Sequence, residues 1–283
     1  MTVCKPVLKW VGGKRQLISD IQKNLPSNYN SYFEPFIGGG ALFFHLKKTG
    51  CHINDFNEDL VNVYEVVKKQ PHKLIASLKE HKNTEEHYYE TRALDRNSEF
   101  SKMSAVEKAS RFIFLNRTGF NGLYRVNRSG QNNVPFGKYE NPQIVNADNI
   151  LACSKLLKET IITNGDFENI KGSIKKGDLV YFDPPYIPIS KTSSFTSYTS
   201  EGFSTNEQQR LRIFCDYIDS IGAYFLLSNS SAEEVKVLYD GYRIQKVTAN
   251  RAINCKSNGR GKVGELLIMN YEPSPADLLA DGG

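Results

Sequence analysis

The chain has 283 residues, 40% of them apolar, a formal net charge of +5 and five cysteines. That length and composition allow one large domain, or a domain with an insertion, around a sizeable core, and the mild basic excess suits a polyanionic partner. Cys4, Cys51, Cys153, Cys215 and Cys255 are odd in number and show no Cys-x-x-Cys spacing, which argues against a zinc site or a disulfide framework; no apolar stretch approaches a membrane span or reads as a signal peptide, so a reducing cytoplasm is expected.

The first informative segment is Lys9-Trp10-Val11-Gly12-Gly13-Lys14-Arg15, which joins the single tryptophan, a glycine pair and cationic side chains. Trp10 can pack on a cofactor and Lys14 can meet a cofactor carboxylate. A strand is predicted over 31–37, followed by Ile37-Gly38-Gly39-Gly40-Ala41 and a helix-like run over 42–47. Strand, glycines, helix is the layout of a nucleotide-binding βα turn, because glycine lets the backbone turn sharply and approach a ligand. The next strand, 51–54, ends at Asp55, roughly 17 residues past Gly38 and near the spacing at which an acidic residue holds ribose hydroxyls. Neither G-x-G-x-x-G nor a P-loop lysine is present, so the turn is not read as a dinucleotide or ATP fingerprint.

Helical periodicity follows. Leu60, Val63, Tyr64 and Val67 share one face of a helix over 59–69, and Pro71 opens a second with Leu74, Ile75 and Leu78 inward. Ser104-Ala105-Val106-Glu107 is a capping box before Ala109, Phe112, Ile113 and Leu115. From Asn116 to Pro142 periodicity gives way to Asn, Gly, Arg and aromatic residues, the composition of a long functional loop with its own apolar anchors, Phe120, Leu123, Tyr124, Val134 and Phe136.

Strand patterns resume at 161–163 and 179–182. The second runs into Asp183-Pro184-Pro185-Tyr186. Each proline fixes its own φ, and residue 184 is also held extended by the proline after it. The corner therefore offers a carboxylate, an aimed carbonyl and an aromatic plate, a set suited to chemistry on a planar amine. The loop from Ile187 to Phe203 is rich in hydroxyls (Ser193, Ser194, Thr196, Tyr198, Thr199) and reads as a cover or a phosphate-contacting loop, or as plain solvated surface. A capping box at Ser204–Glu207 opens a helix to Gly222 with Leu211, Phe214 and Ile218 inward. A buried strand over 224–227, a short helix over 232–239 and strands over 242–248 and 263–271 complete the pattern. The last two strands lack a helix between them and are expected as an antiparallel edge hairpin. A basic, glycine-bearing loop joins them (Asn250, Arg251 and 256–262), placed either on the backbone of a polyanion or in solvent.

Four blocks in this order, Trp10–Lys14, Phe33–Gly40, Asn54–Asn57 and Asp183–Tyr186, resemble the Dam-type DNA adenine methyltransferases, among them the DpnII-type methylases of restriction systems. The resemblance spans residues 5–272. It implies an α/β fold: a Rossmann-like methyltransferase sheet, mostly parallel with an antiparallel edge hairpin, plus an inserted, mainly helical target-recognition domain. It divides the chain into a catalytic, S-adenosylmethionine-binding domain (1–57 and 158–272), a DNA target-recognition insertion (58–157) and a disordered tail (273–283). Implied donor contacts are Trp10, Lys14, Phe36, Gly38, Gly40, Asp55, Asp166, Phe167 and Asp183, with S-adenosylhomocysteine as product and no metal. Implied catalytic groups are Asp183, Pro184 and Tyr186, which would receive an adenine flipped out of duplex DNA.

The segment 117–139 resembles the hairpin by which Dam-like enzymes read GATC. Arg pairs bidentately with guanine and Asn with adenine, while apolar side chains wedge between bases or touch a thymine methyl. Arg117, Phe120, Asn121, Leu123, Arg125, Pro135, Lys138 and Tyr139 are the DNA-binding candidates, with Arg125 on guanine, Leu123 and Pro135 at the central steps, and Arg117, Arg128 and Lys138 toward phosphates. Phe120 stands where many relatives have tyrosine. Relatives that read longer sites beginning GAT share parts of this hairpin, so both kinds of site stay open. A methyltransferase of RNA or of a protein amide, a non-catalytic protein of the same fold and a nicotinamide oxidoreductase fit less well: the hairpin, the intact motifs and the missing G-x-G-x-x-G argue against them in turn. A restriction-modification role, a bacterial or phage origin and a monomer or weak dimer are expected.

Overall fold

The computed structural model describes residues 4–12, 14–186, 203–250 and 262–273. The hydroxyl-rich loop (187–202), most of the basic loop (251–261) and the tail beyond Pro273 lie outside the described residues. The strands form a seven-stranded, mostly parallel sheet in the order β3-β2-β1-β4-β5-β7-β6. They are β1 (Tyr32–Glu34), β2 (His52–Asp55), β3 (Ile161–Asn164), β4 (Leu179–Phe182), β5 (Tyr224–Ser230), β6 (Arg243–Asn250) and β7 (Lys262–Met269). The chain divides into two compact units, Met1–Gly13 with Ile37–Phe167, and Lys14–Phe36 with Glu168–Gly283.

In the first unit β2 and β3 pair in parallel, with His52 opposite Ile161 and Asp55 opposite Asn164. Helix α2 (Ala41–Leu46) begins at Gly40, whose φ of 67° is left-handed and favours glycine. Helix α3 (Glu58–Lys69) is capped by the Asn57 side chain, which accepts from the Leu60 amide at 3.1 Å. The expected face of Leu60, Val63, Tyr64 and Val67 is buried, and Val61 and Val66 widen it. Helix α4 (Pro71–Lys79) starts at its proline and buries Leu74, Ile75 and Leu78. Each such side chain contributes about 1.5–3 kcal/mol on leaving water. Helix α5 (Glu85–Ala93) has no sequence counterpart above; Thr84 caps it and Tyr88 and Thr91 are its buried residues. Helix α6 (Ala105–Thr118) carries the full Ser104–Glu107 capping box. It runs through Asn116, where a loop was expected, because Asn116 is buried and bonds the backbone of Lys9 and Gly122. Helix α7 (Ala147–Leu157) leads into β3.

The second unit holds α1 (Ile18–Lys23) and the sheet order β1-β4-β5-β7-β6. Strand β1 is shorter than the predicted span, since Pro35 has no N–H for a ladder. β1, β4 and β5 are parallel, while β7 runs antiparallel to both β5 and β6. The last two strands do pair as a hairpin, but only β6 lies at the edge. Leu266–Met269 is buried throughout, which suits an interior strand, whereas β6 mixes exposed Arg243, Lys246 and Thr248 with apolar residues. Ser204 caps α8 (Thr205–Ser220), which buries Leu211, Phe214 and Ile218 as expected, and α9 (Glu233–Leu238) follows β5.

Candidate functional site

Three clusters contain the candidate residues. The first surrounds the glycine turn. Gly38 takes a φ of 47°, and a Cβ there would lie 2.8 Å from the Trp10 ring, so the backbone presses against the indole as only glycine allows. Trp10 in turn stacks on Phe112 and Tyr124, with centroids 6.4 and 5.8 Å away. The Gly38 amide donates to Asp55 Oδ2 at 2.9 Å, the Asn57 amide donates to Asp55 Oδ1 at 3.0 Å, and the Gly38 carbonyl accepts from Tyr64 Oη at 2.8 Å. Desolvation raises the Asp55 pKa and the two amides oppose the shift. The carboxylate is thus fixed in direction at the end of β2 while the residue stays partly exposed. Phe56 beside it is 67% exposed; it was not foreseen as a site residue, and an aromatic directly after the strand-ending acid is its signal in the sequence. Gly165, bonded to Asp55 O and Asn54 Nδ2, leads into the expected pair Asp166, partly exposed, and Phe167, buried.

The second cluster stands at the end of β4. Lys14, 6% exposed, places Nζ 2.8 Å from Asp183 Oδ1, 3.8 Å from Glu265 Oε2 and 4.4 Å from the centroid of the Tyr186 ring. Tyr186 Oη donates to Glu265 Oε2 at 2.7 Å. Sequence reasoning turned Lys14 toward a cofactor carboxylate; the structure surrounds it with two carboxylates of its own unit. Burial raises the Asp183 pKa, against the pull of Lys14, and burial beside Asp183 and Glu265 holds the Tyr186 phenol fully protonated. Gln208 Nε2 donates to the Pro185 carbonyl at 3.3 Å while Gln208 Oε1 accepts from Asn229 Nδ2, bracing the proline corner. Phe36 meets Phe182 and Phe203 edge-on, at 6.3 and 5.7 Å. Glu265 was not foreseen: a carboxylate opening the apolar run 266–269 is its signal.

The third cluster is the hairpin in the first unit. Antiparallel bridges join Gly119 to Phe136 and Val126 to Asn132. Phe120, Asn121, Arg125, Pro135 and Lys138 are exposed, and Phe120 keeps 48% of its surface in solvent. Asn121 and Lys138 sit at left-handed φ values of 55° and 54°. Leu123 is half-buried. Two candidates are engaged inside the protein: Arg117 donates from Nη2 to the Val7 carbonyl, and the Tyr139 ring receives Lys9 Nζ at 4.7 Å from its centroid. Helix α5 and the turn after it grip the hairpin by its backbone. Tyr88 Oη and Arg92 Nη1 each donate to Val134 O at 3.0 Å, Arg96 Nη2 donates to Asn132 O at 2.6 Å, and the Asn132 amide donates to Asp95 Oδ2 at 2.7 Å.

Among the described residues no group of three or more His, Cys, Asp or Glu side chains is arranged to hold a metal ion, and no helix is long and apolar enough to cross a membrane.

Over residues 10–253 the chain matches the family described as D12 class N6 adenine-specific DNA methyltransferase. It is 48% identical over 271 residues to the Type II methyltransferase M1.LlaDCHI of Lactococcus lactis subsp. cremoris, covering 94% of this chain and 95% of that one. It is 45% identical over 287 residues to the Type II methyltransferase M.MjaIII of Methanocaldococcus jannaschii, covering 94% and 99%. A DNA adenine methylase of Vibrio cholerae is 34% identical over 268 residues, covering 93% and 94%.

Proposed function

Because the chain belongs to the D12 class of N6 adenine-specific DNA methyltransferases, we propose that it methylates the exocyclic amine of adenine in duplex GATC sites, as the modification enzyme of a restriction-modification system. The observation that carries the chemical part is the Lys14–Asp183–Tyr186 cluster at the end of β4. The adenine amine is a poor nucleophile because its lone pair is delocalised into the ring. The Asp183 carboxylate and the Pro184 carbonyl accept its two hydrogens and favour a pyramidal nitrogen. Asp183 serves as an acceptor rather than a strong base, since the proton leaves as the nitrogen gains charge. Lys14 keeps that carboxylate ionised and fixed. Tyr186, neutral and held by Glu265, stacks on the flipped base. Acceleration comes mainly from orientation and preset dipoles.

The family implies S-adenosylmethionine, which supplies an activated methyl group. The residues fit a nucleoside donor: Asp55 is aimed by the Gly38 and Asn57 amides, remains partly exposed, and keeps lone pairs for ribose hydroxyls. Trp10, Gly38, Gly40, Asp166 and Phe167 contact the donor, as do Lys14, Phe36 and Asp183, and the exposed ring of Phe56 adds a stacking surface. The segment 58–157 acts as the target-recognition insertion. Its exposed Arg125, Phe120, Asn121, Pro135 and Lys138, with Leu123, supply base and phosphate contacts. Arg117 and Tyr139 support the hairpin from within. The restriction-modification assignment is favoured by identity of 48% and 45% to two Type II methyltransferases, against 34% to a DNA adenine methylase.

Labelled S-adenosylmethionine offered with two duplexes, identical except for a scrambled GATC, tests the reading. Label entering only the GATC duplex is expected, with Asp183→Ala abolishing it. Equal labelling of both duplexes would overturn the site, and labelling of neither would overturn the assignment of adenine in GATC as acceptor.

A further inference from the structure

Arg125 is exposed, yet its guanidinium is held. Its Nε–H donates to Asn133 Oδ1 at 2.6 Å, and Nη2 donates to the Asn133 carbonyl at 3.0 Å. The grip is reciprocal, for the Asn133 amide donates to the Arg125 carbonyl at 3.1 Å. Arginine carries five N–H donors in one plane. Two of them are taken by this single asparagine along one edge of the fork. The other edge, made by Nη1 and the second Nη2 proton, is the pair of donors that reads O6 and N7 of guanine. An exposed arginine would otherwise have to give up its rotamer freedom on meeting DNA.

Asn133 is itself fixed on both sides. Asn132 before it is tied by its amide to Asp95 and by its carbonyl to Arg96, and the Val134 carbonyl after it takes Tyr88 and Arg92. The acceptor facing Arg125 is a neutral amide, so it orients the guanidinium without cancelling its charge. We infer that Asn133 is a specificity-positioning residue: it presets the Arg125 fork for a guanine in one of the two outer base pairs of the site. This rests on the reading that Arg125 contacts that guanine.

The test uses duplexes already methylated on one strand, so that a single adenine accepts and the two outer base pairs become distinct. It takes the ratio of kcat/KM on GATC to kcat/KM on a duplex with one outer G·C pair replaced by A·T, at each outer pair in turn, for wild type, Arg125→Ala, Asn133→Ala, Asn133→Asp and the double alanine variant. Arg125→Ala is expected to lower the ratio at one outer pair by about 10- to 100-fold, and Asn133→Ala to lower it at the same pair by about 5- to 10-fold. The double variant should be no worse than Arg125→Ala. Asn133→Asp keeps an acceptor for Nε and should keep the ratios while binding all the duplexes more weakly. If Arg125→Ala leaves both ratios unchanged, the guanine reading itself falls, and the role of Asn133 with it. If Arg125→Ala lowers a ratio and Asn133→Ala does not, only the positioning role falls. An equal loss at the two outer pairs in Asn133→Ala would mark general damage to the hairpin and would likewise overturn the inference.

Discussion

Lys14 Nζ lies 2.8 Å from Asp183 Oδ1 while standing 4.4 Å from the centroid of the Tyr186 ring, so one ammonium holds both the acceptor and the aromatic plate of the corner. Replacing it with methionine leaves a poorly solvated carboxylate without its counter-charge. Such a loss costs about 3 kcal/mol of stability, and misplacement of the acceptor lowers methyl transfer by about 10- to 100-fold. Denaturant unfolding and single-turnover rates of Lys14→Met check both numbers.

The same pair sets a pH dependence. Burial raises the folded pKa of Asp183, and Lys14 restrains the rise. The folded state therefore binds more protons than the unfolded chain between the ordinary aspartate range and the raised value. Asp183 thus favours the fold at low pH, and that stabilisation is lost as pH rises through the raised pKa. Activity runs the other way, because only the ionised acceptor orients the amine. The acid limb of the rate profile should lie above the ordinary aspartate range and move further up in Lys14→Met. A limb unmoved by that substitution would break the link between the two residues.

Asp95 joins two partners through one oxygen: Oδ2 accepts from Arg111 Nη2 and from the Asn132 amide, both at 2.7 Å. Asp95→Ala strands a buried guanidinium and releases the hairpin at one point. The expected outcome is about 3 kcal/mol of lost stability, with a raised KM for DNA and kcat close to wild type. Thermal unfolding with steady-state kinetics on one duplex would show it; a fall in kcat at unchanged KM would contradict it.

Gly38 and Gly12 both have positive φ, but only Gly38 is crowded. A Cβ at Gly38 would lie 2.8 Å from Trp10, whereas one at Gly12 meets nothing within 4 Å. Gly12→Ala should cost only backbone strain, about 1 kcal/mol, and leave donor binding close to wild type. Gly38→Ala should also displace the indole or the turn, and weaken binding of S-adenosylmethionine by at least tenfold on calorimetry, about 1.4 kcal/mol. Equal effects at the two positions would show that the contact with Trp10 is unimportant.

His81 offers a second window. It stacks on Phe114, bonds His87 and Ser110, and lines a cavity with Glu80, Glu107 and Arg111. Burial, then the neighbouring His87, lowers its pKa from 6.5 to about 4. The unfolded chain thus binds the extra proton first as pH falls. This contribution is fully present above pH 6.5 and is lost down to about pH 4, on the order of 2 kcal/mol. His81→Phe, which can keep the stack, should flatten the stability slope in that window, as read by urea titrations at several pH values.

Much of the scaffold was legible because it rests on short-range rules. Glycines, a proline and caps mark where α2 begins and where α4, α6 and α8 start. The predicted strands placed Asp55 at the end of β2 and Asp183 directly after β4. Helix α5 was missed because only Tyr88 and Thr91 turn inward from a polar run, too few for a periodic signal. The inner position of β7 depends on pairing order, which hydrophobic runs alone do not encode. Arg117 and Asn116 read as polar loop residues, yet their partners, Val7 O and the backbone of Lys9 and Gly122, come together only after folding. Glu265 is likewise distant in sequence from Tyr186 and met by it only through the sheet.

The bonds that seat the hairpin at Asn132 and Val134 address main-chain atoms. Every residue type except proline offers the same amide, and all offer the same carbonyl. The side chains proposed to read DNA can therefore be exchanged without recutting the socket that holds them, so on that reading a lineage built on this scaffold is able to drift from one target sequence to another while its mounting stays fixed.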